Sequence, residues 1–69
     1  MSDTLADMIT RIRNGQKAQK VEILSIFSNT NMRVCEVLKK EGFIEDFSQQ
    51  GDVKKSILIK LKYYNGKPL

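Results

Sequence analysis

The sequence predicts an α+β domain, a small open three-stranded sheet with two helices on one face, in the order helix, strand, helix, strand, strand. Apolar residues recur at helical spacing near the N-terminus and again in residues 34–38. Residues 21–27, 43–47 and 55–64 instead carry the branched or alternating pattern of strands. A domain of 69 residues buries only about 60% of the surface that its unfolded chain exposes. We therefore expect residues 1–69 to form a single domain of modest stability.

The first helix is predicted to run from about Thr4 to Gln16 or slightly further, with Asp3 as its N-cap. Its buried stripe consists of apolar residues at spacings of three, four and seven: Leu5, Met8, Ile9 and Ile12. Gly15 leaves the C-terminal end open, because Gly is unfavourable inside a helix whereas residues 16–20 are good helix formers.

A strand and a second helix are predicted next. Val21–Phe27 is rich in branched residues and apolar on both sides of a two-residue alternation, which predicts a strand covered on both faces or nearly so. The capping residues Ser28–Asn31 begin the second helix, and Gly42 closes it after two lysines.

The remaining residues predict a hairpin. Phe43 and Phe47 are expected on one face of its first strand together with Glu45, and residues 49–52 form the turn. One alternating set of side chains in the return strand shares a face: Ile57, Ile59, Leu61 and Tyr63. Residues 65–69 are expected to end the chain as a turn with no closing element.

The composition argues against an enzyme. The chain has no histidine and a single cysteine, so the usual acid-base, nucleophilic and metal-ligand groups are missing, and we expect no catalytic residue, no metal site and no cofactor. Cys35 and Met8 are expected to fill the core as hydrophobic side chains. The 12 Lys and Arg against 8 Asp and Glu give a net charge of +4, which favours a polyanionic partner.

The compartment follows from the same features. An unpaired cysteine predicts a reducing, intracellular setting. The N-terminus is acidic where a secretory signal would be basic, and no apolar run approaches the roughly 20 residues that span a bilayer. We expect neither export by that route nor a membrane partner.

The basic residues of the first helix predict a phosphate-binding stripe. At 100° per residue, Arg11 and Arg13 lie on opposite flanks of the apolar stripe and cannot form one clamp. Ala6, Thr10, Arg13 and Lys17 instead form a continuous line that offers a small residue, a hydroxyl and two cations. The alternative is a merely solvated helix face. Weaker basic candidates lie in two other places: Lys54 and Lys55 in the hairpin turn, and Lys60 and Lys62 with Tyr64 on the last strand.

Three blocks, "LADMITRIRNGQKA", "VLKKEGFIEDF" and "LKYYNGKP", resemble the bacterial-type small-subunit ribosomal protein S8 family in order and spacing. That family has two domains and is a primary binder of small-subunit ribosomal RNA. The resemblance covers its N-terminal domain, which has the helix and strand order predicted above. It implies that residues 1–69 correspond to that domain and that the family's C-terminal rRNA-binding domain is absent.

The resemblance implies rRNA contacts at specific positions: Asp3, Thr4, Thr10, Arg11, Arg13, Asn14, Ser28 and Lys54. To these the helical stripe adds Lys17 and the hairpin turn adds Lys55. We expect Arg13 to face phosphates beside Thr10 and Lys17, and Arg11 to reach either a different RNA strand or a protein carboxylate. At the second helix, Asn29 and Asn31 replace lysines of the family and Thr30 replaces an apolar residue of the buried face.

The function implied is that of a structural constituent of the small ribosomal subunit, which binds the central domain of small-subunit rRNA and supports its assembly. Expected partners are that rRNA, neighbouring small-subunit proteins and, if the second domain is supplied in trans, a separate chain that carries it. The location implied is the ribosome, in a bacterial cytoplasm or in an organelle matrix such as that of the mitochondrion. The alternative is a free-standing protein-interaction module that docks by its exposed sheet edge or face.

Overall fold

A computed structural model of the protein describes residues 3–64 and 67–68. The elements are α1 (Asp3–Lys17), β1 (Glu22–Ile26), α2 (Asn29–Lys40), β2 (Ile44–Gln50), β3 (Ser56–Leu61), β4 (Tyr63–Tyr64) and β5 (Lys67–Pro68). The first three strands form an antiparallel sheet in the order β1-β3-β2, and α1 and α2 pack on one face of it. The predicted α+β class and element order are confirmed.

The core lies between the helices and the inner face of the central strand. Ile57, Ile59 and Leu61 of β3 are buried on that face, as the alternation predicted, and they pack with Met8 of α1 and Cys35 of α2. The prediction that β1 is covered on both faces is wrong. Its outward residues Leu24 and Ile26 are 53% and 42% exposed, because both helices lie on the opposite side of the sheet.

A β-bulge changes which residues of β2 face inward. The pairing with β3 shifts register between Ile44 and Asp46, so that Ile44 and Phe47 both point to the core, whereas Phe43 precedes the strand and is 52% exposed. The predicted shared face of Phe43, Phe47 and Glu45 is therefore wrong, since an extra residue in one strand reverses the alternation. The Phe47 amide and then the Lys39 ammonium hold the pKa of Asp46, at the bulge, below its usual value.

Gly15 lies inside α1 and does not end it. The residue is buried, and a Cβ atom placed on it would stand 2.6 Å from Cγ2 of Ile23 and 3.0 Å from Cδ1 of Leu61. The missing side chain thus lets the C-terminal half of α1 lie close against β1 and β3. At the other end, Asp3 was predicted to be the N-cap but is instead the first residue of α1, one position further into the helix. Its negative charge interacts favourably there with the dipole of the helix.

The second helix has the predicted caps, but its buried face differs from the prediction at the start of the helix. Ser28 is the N-cap, and its Oγ accepts the Asn31 amide at 3.0 Å. Gly42, at φ 84°, ends the helix in a Schellman motif with the Phe43 amide bonded to the Leu38 carbonyl. Thr30 is exposed, which corrects its expected place on the buried face, and Asn31 takes that place instead.

A short second hairpin follows β3. Tyr63 and Tyr64 pair antiparallel with Pro68 and Lys67, so the expectation of a chain end without any closing element is wrong for residues 67–68. Residues 65, 66 and 69 lie outside the described residues. At the start of this hairpin, the Tyr63 hydroxyl donates to the Lys20 carbonyl at 2.6 Å. This hydrogen bond holds the loop between α1 and β1 against the hairpin.

Ser25 provides a stability prediction. Its side chain is 3% exposed on the inner face of β1, opposite Ile57, and among the described residues its Oγ has no hydrogen-bond partner. A buried hydroxyl without a partner costs about 1–3 kcal/mol. We expect Ser25→Ala to raise the free energy of unfolding by about 1 kcal/mol in urea denaturation. Ser56→Ala, at a half-buried position on the outer face, is the control and should change it by less than about 0.5 kcal/mol. A loss of stability in Ser25→Ala would contradict the burial of the Ser25 hydroxyl without a hydrogen-bond partner.

Cys35 is a core residue, as predicted. Its thiol is fully buried beside Met8, with Sγ 3.7 Å from Sδ, and burial raises its pKa from 9.0 to about 11. Because the folded pKa is raised, this burial contributes stability that is present below pH 9 and is lost as the pH rises towards 11.

We expect the Cys35 thiol to be protected from reagents in the folded state. At pH 7 it should react with a disulfide reagent about 100-fold more slowly than in the urea-unfolded chain, since only unfolding exposes it and small domains have about 3 kcal/mol of stability. The absorbance of the thiolate that the reagent releases measures both rates. Equal rates would show that the thiol is accessible in the folded protein.

Candidate nucleic-acid interface

The predicted stripe of α1 is an exposed surface. Ala6, Thr10, Arg13 and Lys17 are all solvent-exposed along this helix. A shallow depression of about 400 Å³ lies on the same side, and its lining consists of Thr10, Arg13, Asn14, Gln16 and Lys17. We call Thr10, Arg13, Asn14 and Lys17 the α1 basic face.

The α1 basic face offers both charge and shape to a phosphate chain. The guanidinium of Arg13 and the ammonium of Lys17 belong to adjacent turns and are exposed. The Thr10 hydroxyl donates to the Ala6 carbonyl at 3.0 Å, so its oxygen remains available as an acceptor. A planar fork of donors beside a mobile ammonium suits phosphate oxygens, and a concave surface brings several donors onto one anion.

Arg11 lies on the opposite flank of α1, as the helical wheel predicted. Its Nε donates to Oδ2 of Asp7 at 2.6 Å, and Nη1 lies 3.4 Å from the Leu24 carbonyl on β1. The Asp7 carboxylate is one of the two expected partners of Arg11, and contact with a different RNA strand stays a prediction. Arg11 and Asn14 also line a larger depression of about 680 Å³ between α1 and β1, together with Lys20 and Glu22.

The other predicted contacts gather around the end of β1. Asp3 and Thr4 begin α1, and Ser28, the N-cap of α2, lies two residues after the end of the strand. Lys55 holds its ammonium 5.4 Å from the ring centre of Phe27, while Lys54 is exposed beside it in the turn between β2 and β3. We call Asp3, Thr4, Ser28, Lys54 and Lys55 the strand-end group. The Asp3 carboxylate suits a ribose 2′-hydroxyl rather than a phosphate, because it only accepts hydrogen bonds when ionised.

The structure therefore separates the predicted contacts into the α1 basic face, the strand-end group, and Arg11 on the opposite flank of α1. A helix of 15 residues is about 22 Å long, which sets the distance between the two ends of α1. On the outer face of the sheet, Lys60 stands in register with Glu22 on one neighbouring strand and Asp46 on the other, which weakens it as a phosphate candidate. The Tyr64 side chain lies outside what the structure describes.

Asn31 is the residue that sequence reasoning missed. Its side chain is fully buried, and Nδ2 donates to the Ile26 carbonyl at 2.9 Å and to the Thr4 carbonyl at 3.2 Å. The pattern offered only a weak signal, a polar residue three positions after the N-cap at a helical spacing of four from Cys35. A polar residue at an inward position usually has hydrogen-bond partners, but the amino-acid sequence does not identify those partners.

Within residues 3–64 and 67–68, no group of three or more potential ligands is arranged to hold a metal ion. The same residues contain no helix that is both long and apolar enough to cross a bilayer.

Comparison with known proteins agrees with the resemblance seen in the three sequence blocks. The family model described as "Ribosomal protein S8" matches residues 3–69. The chain belongs to the ribosomal protein S8 family. Three similar relatives are each called small ribosomal subunit protein uS8. The relative from Alteromonas mediterranea is 54% identical over 67 residues, those from Marinobacter nauticus and Nitrosococcus oceani 49% and 48% over 69 residues.

The match covers nearly all of this S8-family chain but only part of its relatives. It includes 97% to 100% of the chain and 52% to 53% of each relative. The chain thus spans about half the length of the curated relatives that it matches. Each relative is one chain about twice as long, so nothing in these matches supports a separate protein that supplies a second domain.

Proposed function

We propose that this chain is a structural constituent of the small ribosomal subunit, which binds small-subunit rRNA and supports its assembly without catalysis. Membership of the S8 family and the name of its relatives support this role. The observation that carries it in this chain is the α1 basic face, where two exposed cations and a hydroxyl line one depression. We further propose that the chain corresponds to the family's N-terminal domain.

The binding mechanism is electrostatic, and it does not depend on the base sequence of the RNA. Arg13 and Lys17 neutralise phosphates and release counterions, while Thr10 and Asn14 accept or donate hydrogen bonds along the same RNA strand. The strand-end group provides a second contact area with hydroxyl groups for riboses and two lysines for phosphates. The two areas begin about 9 Å apart along α1, at Thr4 and Thr10, and together they hold a local RNA fold in one geometry.

The proposed partners are small-subunit rRNA and neighbouring small-subunit proteins, and the proposed location is the ribosome of a bacterium. The matched organisms support the bacterial location, and none of them supports an organelle matrix. The exposed Leu24 and Ile26 favour the alternative of a protein-interaction module that docks by the sheet face. Docking through such a surface is insensitive to salt, whereas phosphate binding is not.

Co-sedimentation with purified ribosomal subunits tests the proposed function. The full chain, mixed with small subunits that have been depleted of their own S8 protein, should sediment with them in a sucrose gradient at low salt. Large subunits treated in the same way are the control and should leave most of the chain at the top. Equal recovery with both subunits, or none with either, would contradict the proposal.

A further inference from the structure

The side-chain amide of Asn31 joins three elements of the fold. Asn31 belongs to the first turn of α2, Thr4 to the first turn of α1, and Ile26 is the last residue of β1. Both carbonyls accept from the same nitrogen, at 3.2 Å and 2.9 Å. Two N–H groups meet two acceptors, so the donor capacity of the amide is fully used.

Among the described residues, no other polar side chain is as completely buried as that of Asn31, and few residue types could make its contacts. Asn31 is 0% exposed, and among the residues described its Oδ1 has no hydrogen-bond partner. Because both neighbours are carbonyls, the nitrogen must point towards them, which fixes the orientation of the amide. A residue with no donor would leave both carbonyl groups facing an apolar or repelling atom.

The two ends of α1 are attached to the sheet in different ways. At the C-terminal end the close approach at Gly15 brings the helix against Ile23 and Leu61. At the N-terminal end the amide of Asn31 holds the Thr4 carbonyl beside the end of β1. Loss of the Asn31 contact would free the first turn of α1 and leave the Gly15 contact in place.

We propose that Asn31 is a positioning residue, which holds Asp3 and Thr4 in the geometry in which they contact RNA together with the rest of the strand-end group. This inference rests on the proposed RNA-binding function. Asn31 itself touches no RNA, since it is buried. Its effect is confined to the first turn of α1, and the α1 basic face does not depend on it.

Hydrogen exchange of the free 69-residue chain tests the positioning without RNA. The variant is Asn31→Leu, which keeps the side-chain size and removes both donors. Ile44→Val, in the core at the opposite end of the sheet, is the control for general destabilisation. We expect the amides of Asp7 and Met8 to lose at least about 10-fold more protection in Asn31→Leu than in the control, and the Lys17 amide to lose no more. Equal losses at both ends of α1 would overturn the inference.

RNA binding provides the second readout. In wild type, Thr4→Ala and Arg13→Ala should each weaken binding to small-subunit rRNA. In the Asn31→Leu background, Thr4→Ala should cause no further loss, whereas Arg13→Ala should cause the same loss as before. Full additivity of Thr4→Ala would overturn the positioning role.

If wild type fails to bind RNA at low salt, the proposed function fails while the exchange result still decides the inference. Should Asn31→Leu not fold, Asn31→Ser, which keeps one donor, takes its place under the same criteria.

Discussion

Gly15→Ala is expected to destabilise the fold, although alanine is the better helix former. The new Cβ would stand 2.6 Å from Cγ2 of Ile23, a methyl group on a stiff branched carbon, and 3.0 Å from Cδ1 of Leu61. Overpacking of this kind costs about 1–3 kcal/mol, against a gain of about 1 kcal/mol in helix propensity. We expect a net loss of up to about 2 kcal/mol, measured by urea denaturation, and a Tm lower by up to roughly 15 °C.

Two variants make the Gly15 prediction specific. Asn14→Ala gains propensity at an exposed neighbouring position and should not destabilise the helix. Ile23→Ala removes the obstructing methyl, so its cost should be smaller by at least about 1 kcal/mol in the Gly15→Ala background than in wild type. A Gly15→Ala chain more stable than wild type would show that α1 does not approach β1 so closely.

Removal of both cations from the α1 basic face is expected to have the largest effect on RNA binding. In Arg13→Gln with Lys17→Gln, two phosphate contacts are lost, so affinity at low salt should fall by about 10- to 100-fold. The slope of log K against log salt should become shallower by about 1.4 to 1.8. Filter binding or fluorescence anisotropy with small-subunit rRNA at several salt concentrations measures both quantities.

Matched variants separate position from net charge. Arg33→Gln with Lys40→Gln removes the same charge from exposed positions of α2 and should leave the slope within about 0.5 of the wild-type value. Arg11→Gln should weaken binding less than Arg13→Gln, because Asp7 already engages the Arg11 guanidinium. Thr10→Ala should also cost less than Arg13→Ala. Equal losses in the α1 and α2 double variants would mean that only net charge matters.

Much of the fold was predictable because periodicity reports it directly. The apolar stripe of α1, the alternation of β3 and the Gly42 cap each follow from local pattern and residue type. The bulge between Ile44 and Asp46 was not, since an extra residue in one strand leaves no local signature and reverses the expected faces of Phe43 and Ile44. Exposure of Leu24 was missed for a related reason, because a branched run does not say how many faces are covered.

The candidate site divides in the same way. The helical wheel placed Arg11 and Arg13 on different flanks, and the structure shows Arg11 bonded to Asp7 while Arg13 is exposed. The contacts that assemble distant segments could not be read from spacing. The amide of Asn31 reaches a carbonyl 27 residues away, and the Tyr63 hydroxyl reaches one 43 residues away. Such pairs depend on tertiary packing, for which a single sequence carries no period.

The salt dependence of RNA binding by the unmodified chain tests whether the chain holds rRNA by its phosphates, as proposed for the α1 basic face and the two lysines of the strand-end group. With the four proposed phosphate contacts, from Arg13, Lys17, Lys54 and Lys55, and a slope of about −0.7 to −0.9 for each, affinity for small-subunit rRNA should fall about 50- to 150-fold between 50 and 200 mM salt. A linear plot of log K against log salt with that slope is the expected result. An affinity that stays the same over this range would contradict the account.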